Sequence, residues 1–323
     1  MSGKLVVAVP SKGRLQERAN AFFARAGLRL RQEGGARDYR GDFEGVDEVE
    51  ILFLSAAEIV TQLAAGHAHL GVTGEDLVRE TVADADRKLL LLAPLGFGNA
   101  DVVVAVPRAW IDVRSMADLD DVAAALRARS GQRMRVATKY VNLTRRFFGE
   151  HGLADYRIVE SAGATEGAPA SGAAEIIVDI TTSGSTLAAN ALKRLDDGTL
   201  LRSEAQLVAA LRAPWSAGNR DAARSLLQRI TAEERGRRLR EIRADVPAGA
   251  GAAFAEVPEM FGAELHEAGN GAPLRFFVPR EAAHGFCDWL IGKGVTTATV
   301  QELDFVYTAS NALWEKLKSR LGE

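Results

Sequence analysis

Short apolar runs, each closed by a turn and followed by a helical stretch, recur along the first two-thirds of this chain. Leu5–Val9 stops at Pro10, and Ser11-Lys12-Gly13-Arg14 then opens a helix over Leu15–Gly27 with Leu15, Ala19, Phe22, Phe23 and Ala26 on one face. Val49–Leu54 precedes a helix over Ala57–Ala65, and Leu70–Thr73 runs through Gly74-Glu75-Asp76 into a helix from Leu77. Leu89–Pro94, Asp101–Val106, Arg135–Thr138, Arg157–Glu160 and Ile176–Asp179 read as further strands, with helices at Val122–Arg129 and Leu143–His151. Strands and helices in alternation predict mostly parallel sheets covered by helices on both faces. We read two linked α/β sheets with a cleft between them. Ligands of such sheets sit at the carboxyl ends of the strands, where Lys12, Arg14, Glu75, Lys139 and Asp179 all fall.

The 323 residues are 47% hydrophobic and 26% charged, enough apolar material for more than one core. A net charge of -3 gives no electrostatic case for nucleic acid. A single cysteine, Cys287, excludes an internal disulfide and argues against a cysteine metal site. The residues after Met1 run into a strand without a signal-peptide pattern, and no apolar run approaches the ~20 residues of a membrane span. A soluble, cytoplasmic protein without membrane partners is the expectation.

The segment Ile176 to Thr186 carries the most chemistry. A buried strand ends in Asp179; Ile180 and Thr181 lead to Thr182-Ser183-Gly184-Ser185-Thr186, and a helix is expected near Leu187. A helix start offers free N–H groups, Gly184 permits a close approach or a positive φ, and the hydroxyls add short donors. Asp179 is placed for ribose hydroxyls or for Mg²⁺ held by a phosphorylated sugar. The pattern points to a sugar phosphate, most directly a 5-phosphoribosyl group. A plain strand, turn and capped helix is the simpler reading.

The region from Ala213 differs. Asn219–Ile242 reads as one long charged helix, with a break near Gly236 in the basic run Arg235-Gly236-Arg237-Arg238. Pro247–Ala253 is a glycine- and alanine-rich loop. Strands at Ala252–Val257, Glu264–Glu267, Leu274–Val278 and Thr297–Glu302, with helices at Arg280–Gly292 and Ala309–Leu321, make a small α+β module.

Three segments together resemble the ATP phosphoribosyltransferase family, which opens histidine biosynthesis. They are Val7–Leu15, with its Ser-Lys-Gly-Arg-Leu turn, Leu70–Asp76, and Glu175–Leu192 around the loop just described. Gly96-Phe97-Gly98, Arg135–Thr138 and Thr165–Pro169 fall between them in the family's order. The likeness covers roughly residues 4–212. It departs at Ala100-Asp101, where the family usually has a Cys-Arg or similar pair, and it is weak in the C-terminal module. The resemblance implies a periplasmic-binding-protein-like catalytic region of two lobes over 1–212, the first about 1–98 plus 184–212 and the second about 99–183. A small ACT-like α+β regulatory domain follows at 213–323.

The reaction implied is attack of adenine N1 of ATP on C1 of 5-phosphoribosyl 1-pyrophosphate, with release of pyrophosphate and with Mg²⁺ as cofactor. Lys12, Arg14, Glu166 and Asp179 are the implied catalytic residues. Asp179, Thr182, Ser183, Gly184, Ser185 and Thr186 would hold phosphoribosyl pyrophosphate. Arg14, Gly74, Glu75 and Tyr140 would hold ATP, and Glu166 with Asp179 the metal. Plainer alternatives stay open: surface charges for Lys12 and Arg14, helix capping for Glu75 and Asp76, an exposed loop acid for Glu166, a core ring for Tyr140. Histidine as inhibitor and a homo-oligomer, from dimer to hexamer, are implied as well. A type I phosphoribosyltransferase of a free base, or a non-catalytic two-lobed solute-binding protein, are the competing readings; the former usually carries two adjacent acids where Asp179 is followed by Ile180. His67 and His69 have metal-like spacing but lack further ligands, and are expected at the surface.

Overall fold

The computed structural model describes residues 3–32, 39–161, 163–246, 254, 259–267 and 273–322. The chain divides into a unit of residues up to 22 plus Leu30–Ser216, and a unit of Phe23–Arg29 plus Ala217–Glu323.

The first unit holds two sheets. One begins with β1 (Leu5–Pro10), followed by α1 (Gly13–Arg25), β2 (Leu30–Gln32), β3 (Arg40–Phe43), β4 (Val46–Leu54), α2 (Ala56–Ala65), β5 (Leu70–Gly74), α3 (Glu75–Thr81), α4 (Ala85–Lys88) and β6 (Leu89–Pro94). The other takes β7 (Ala100–Pro107), α5 (Met116–Ser130), β8 (Met134–Thr138), α6 (Val141–Glu150), β9 (Tyr156–Glu160), α7 (Ala168–Ser171), β10 (Ile176–Thr181), α8 (Ser185–Ala189) and β11 (Leu192–Ser203). The chain then returns to the first sheet as β12 (Ala205–Ala210). Strand order is β2-β3-β4-β1-β5-β12-β6 in the first sheet and β11-β7-β10-β8-β9 in the second.

Parallel pairing joins β1 to β4 and β5, and β8 to β9 and β10, so the central strands are buried on both faces. The expected mostly parallel order is interrupted. β12 runs antiparallel between β5 and β6, and β7 runs antiparallel to β10 and β11. Residues 192–203 therefore pair in the second sheet, although the first lobe was expected to resume at 184. The charged sequence of β11 hides the strand, because its register slips twice along β7 and breaks the alternation.

Local signals fix the helix ends. Ser55 and Glu58 form a capping box at the start of α2, and Gly66 ends it at φ 76°. Val7, Ile51, Leu63 and Leu70 have no exposed surface, each such burial contributing about 1.5–3 kcal/mol. His69 is buried, not at the surface as its spacing had led us to expect. Its Nδ1 accepts the Val6 N–H at 3.1 Å, its ring lies edge-on to Trp215, and burial lowers its pKa. The neighbouring His67 is exposed.

In the second unit α9 (Ala217–Arg238) stops where the sequence had promised four more residues, and β13 (Leu239–Asp245) begins. The remaining elements are β14 (Glu264–Glu267), β15 (Leu274–Pro279), α10 (Ala283–Gly292), β16 (Thr297–Glu302) and α11 (Ala312–Leu321). The four strands form an antiparallel sheet in the order β14-β15-β13-β16. Tertiary pairing overrides the helical tendency of Arg238–Ile242, since β13 is hydrogen-bonded on both sides. Gly236 is required here: a Cβ would lie 2.8 Å from the Asp304 backbone. Ile242, Phe276 and Val278 pack with Phe286 and Leu290 of α10 as the core. Apart from Phe254, the loop and strand expected over 247–257 lie outside the described residues.

Glu241 on β13 is 2% exposed and accepts from Arg243 at 2.6 Å and Arg275 at 2.8 Å. Burial pushes its carboxyl up, but the two arginines outweigh this and hold it below the usual value. Glu241 thus adds stability above the unfolded-state pKa near 4.5, which is lost as pH falls through the depressed folded value. We expect Glu241→Gln to destabilise the protein by about 1–3 kcal/mol at pH 7, toward the low end because both arginines keep contact with water. The difference in denaturant midpoint from the wild type should close as the pH falls below 4.5 through the depressed folded value.

Candidate functional site

The loop after β10 is built by its own hydroxyls. Gly184 sits at φ 76°, and its N–H donates to Thr181 Oγ1 at 2.9 Å. Ser183 and Ser185 hydroxyls lie 2.9 Å apart, and Thr182 Oγ1 donates to the Asn99 carbonyl at 3.0 Å. The first helical bond of α8 runs from the Ala188 N–H to the Gly184 carbonyl, so the amides of Thr186 and Leu187 precede the ladder. Thr182, Ser183, Ser185 and Thr186 are exposed.

Asp179, two residues before Thr181, is partly buried at the strand's end. Burial raises its carboxyl pKa; the Ile180 N–H at 2.8 Å and the charge of Lys139 oppose the rise, and the charge of Glu166 adds to it. Asp179, Glu166 and Lys139 therefore share one electrostatic neighbourhood. Glu166 stands in a 3₁₀ turn, Thr165–Gly167, entered through Ala164 at φ 50°, a conformation that costs a non-glycine residue about 1–2 kcal/mol. Lys139 Nζ lies 5.0 Å from the centre of the Tyr140 ring.

Across from the loop, Asp76 is 8% exposed and fully engaged. Its Oδ2 accepts from Tyr140 Oη at 2.8 Å, its Oδ1 from Ser203 Oγ at 3.0 Å, and its N–H donates back to Ser203 Oγ at 3.0 Å. Gly74 has room only for hydrogen, because a Cβ would collide with Asp76 Oδ1. Tyr140 is 1% exposed, with its ring among the apolar residues of the second sheet, and burial followed by the Asp76 charge pushes its hydroxyl pKa up. One turn on, Glu80 accepts the N–H groups of Asn142 and Leu143 at 2.9 Å each, capping α6 from α3. Glu75 turns away to Arg79 at 3.2 Å.

A cavity of about 690 Å³ opens beside these groups, lined by Arg14, Arg18, Gly74, Asp76, Phe97, Asn99 and Thr182 among others. Of the candidate residues it gathers Arg14, Gly74 and Thr182. Lys12 is exposed just before α1 and its charge acts on Glu58. Ser183 and Gly184, with Thr182, line a separate groove. Ala100 lines the cavity and Asp101 lies in β7 opposite Thr181. Sequence reasoning missed Arg18, whose signal was its place one helical turn after Arg14. It also missed Ser203, which no motif announces.

Among the described residues, no group of three His, Cys, Asp or Glu side chains could enclose a metal ion. Two carboxylates beside a phosphate loop do suit Mg²⁺, which takes few protein ligands and completes its shell with phosphate and water. No helix among the described residues is long and apolar enough to cross a membrane.

Comparison with known proteins gives the family. A family model described as ATP phosphoribosyltransferase matches residues 55–232. The chain is 55% identical over 325 residues to the ATP phosphoribosyltransferase of Afipia carboxidovorans, covering 100% of both chains. It is 56% identical over 323 residues to that of Bradyrhizobium sp. (strain ORS 278), covering 99% of each. A solved ATP phosphoribosyl transferase (HisG:HisZ) complex from Thermotoga maritima shares the fold at a TM-score of 0.53 and 24% identity, over 70% of this chain and 96% of that one. Matched along its whole length by relatives at 55–56% identity and by the family model over residues 55–232, this chain belongs to the ATP phosphoribosyltransferase family.

Proposed function

We propose that the chain performs its family's reaction, the first step of histidine biosynthesis, with residues of the 690 Å³ cavity and of the hydroxyl loop beside it. Adenine N1 of ATP attacks C1 of 5-phosphoribosyl 1-pyrophosphate and pyrophosphate departs. The nitrogen lone pair is already nucleophilic, so no general base is required. Catalysis then rests on holding the two substrates in line and on stabilising charge as the ribose becomes cationic and pyrophosphate leaves. The loop residues Thr182, Ser183, Gly184, Ser185 and Thr186 hold the phosphoribosyl group with amides and hydroxyls. Asp179 faces the ribose. Lys12 and Arg14 draw the phosphates, Arg14 with its forked donors, and Arg18 extends that row. Gly74 lets ATP approach the backbone. Tyr140 and Glu75 act by position, through Asp76 and Arg79. Mg²⁺, held by Glu166, Asp179 and substrate oxygens, would supply positive charge against the pyrophosphate.

One observation carries this reading: Asp179 is kept in a partly buried place that its charge disfavours, at the mouth of a hydroxyl loop. A carboxyl with a raised pKa favours folding below its unfolded value near 3.8 and loses that advantage as pH rises through the folded value. Above its folded value the ionised group is therefore a burden on stability, and a charge retained at such a cost fits a role in binding.

As further proposals, the second unit binds histidine and transmits inhibition, and the protein works as a cytoplasmic homo-oligomer.

Asp179→Asn should reduce kcat/KM for phosphoribosyl pyrophosphate at least tenfold, about 1.4 kcal/mol or more, while raising Tm at pH 7. That Tm gain should vanish as the pH approaches 3.8. Pyrophosphate release that needs both ATP and phosphoribosyl pyrophosphate is the readout; release with a free base in place of ATP would overturn the assignment. Tyr140→Phe leaves a buried Asp76 oxygen without its donor and should cost about 1–3 kcal/mol of stability, measured by urea titration. Calorimetric titration of histidine into the full chain should give saturable heat together with a fall in turnover. A flat titration would end the regulatory proposal.

A further inference from the structure

A groove of about 570 Å³ opens between the turn that follows β7 and helix α5. Glu175 lies at its side and directly precedes β10, whose other end leads into the hydroxyl loop. A six-residue strand, roughly 17–20 Å long, therefore separates the groove from that loop. Trp110, Val122 and Leu126 pack on the core of the second sheet and keep part of their surface in the groove. The turn that forms one lip is held on several sides. The Trp110 N–H donates to the Pro107 carbonyl at 3.0 Å, the Val113 N–H to the Trp110 carbonyl at 3.2 Å, and the Asp196 N–H to the Arg114 carbonyl at 2.8 Å. Lys193 Nζ donates to the Ile111 carbonyl at 3.1 Å. On this fixed turn the Ile111 side chain is nonetheless 77% exposed.

The rim carries an acid and a base that do not meet. Asp112 and Arg129 both line the groove and are exposed, and among the described residues neither side chain makes an ion pair or a hydrogen bond. Glu175 is taken by Arg135 at 2.5 Å, and Arg127, on the same helix as Arg129, meets Asp155 at 3.2 Å. One patch thus holds an apolar knob, an apolar groove, a carboxylate and a guanidinium. A two-fold interface asks for this set, because the same patch on both copies must complement itself. A small molecule filling the groove would leave Ile111 in water. A partner of one charge sign would satisfy only one of the two rim charges.

We propose that this groove is an interface between two copies of this chain, in which Ile111 of each enters the groove of the other and Asp112 of each meets Arg129 of the other. Burial of the two isoleucines on Trp110, Val122 and Leu126 drives the contact. The two opposite-charge pairs at the rim fix the register and the partner. The proposal names a contact surface for the homo-oligomer proposed above and rests on that reading.

The test is sedimentation velocity of the full chain over a range of concentrations. Wild type should assemble, and Ile111→Asp should weaken that assembly at least tenfold or reduce the particle to a smaller species. Asp112→Arg sets arginines against each other across the two-fold axis, and Arg129→Asp sets acids against each other. Each alone should therefore weaken assembly, most strongly at low salt. An equimolar mixture of these two variants regains both opposite-charge pairs and should assemble more tightly than either variant alone. All three side chains are exposed in the single chain, so the variants should keep the wild-type circular dichroism, which is measured alongside. Unaltered assembly of Ile111→Asp, or a mixture no tighter than its components, would overturn this interface and leave the homo-oligomer to another surface. A wild type that stays monomeric would end both proposals. Binding of anilinonaphthalene sulfonate to that monomer, lost in Ile111→Asp, would then give the groove to a small apolar ligand.

Discussion

The Asp76 carboxylate joins the two sheets of the first unit. It sits at the start of α3, directly after β5 of the first sheet, and its two oxygens are taken by Tyr140, which follows β8 of the second, and by Ser203, at the crossing back from β11 to β12. A buried carboxylate missing one of these donors would be costly, so the three residues hold one another in place. Glu80 repeats the arrangement one turn later by capping α6. These buried hydrogen bonds hold the start of α3, and with it Gly74, against β8 and the crossing from β11 to β12. Two substrates that must meet in line benefit from such a frame.

Much of this was legible in the sequence, and the limits have physical reasons. The central strands announce themselves because both faces are buried, as with Leu5–Pro10 and Ile176–Thr181. The turn after β10 announces itself because hydroxyls and Gly184 crowd into one short run, the residue types a phosphate-binding turn would use. Antiparallel β12 escaped notice although all six of its residues are buried, since its short alanine-rich run has neither strand alternation nor helical period. β13 was mistaken for helix because Arg240, Glu241 and Arg243 continue the charged composition of α9, and only pairing with β15 and β16 decides its conformation.

The site was legible in kind more than in detail. Tyr140 shows why: a tyrosine after a strand serves equally as a platform for a base or as a core ring with a buried hydroxyl, and its partner Asp76 is 64 positions away. Glu75 and Asp76 stand side by side in the helix N-terminus, where local rules treat them alike. The structure separates them, turning one to Arg79 and burying the other.

The phosphate loop carries charge logic on both of its faces. On one side Asp179 keeps a carboxylate where burial and Glu166 disfavour it, relieved in part by Lys139. On the other, Arg108, Lys193 and Arg194 stand with no acid lining their groove. A fold optimised for stability alone would have moved these charges toward each other or out into water. They are held apart by β10, whose hydrogen bonds to β7 and β8 fix Asp179 in the strand, and by the turn that Thr181 closes onto Gly184. Asp179 is thus left with a charge that Lys139 balances only in part, and the cationic ribose or metal proposed for this site would balance the rest.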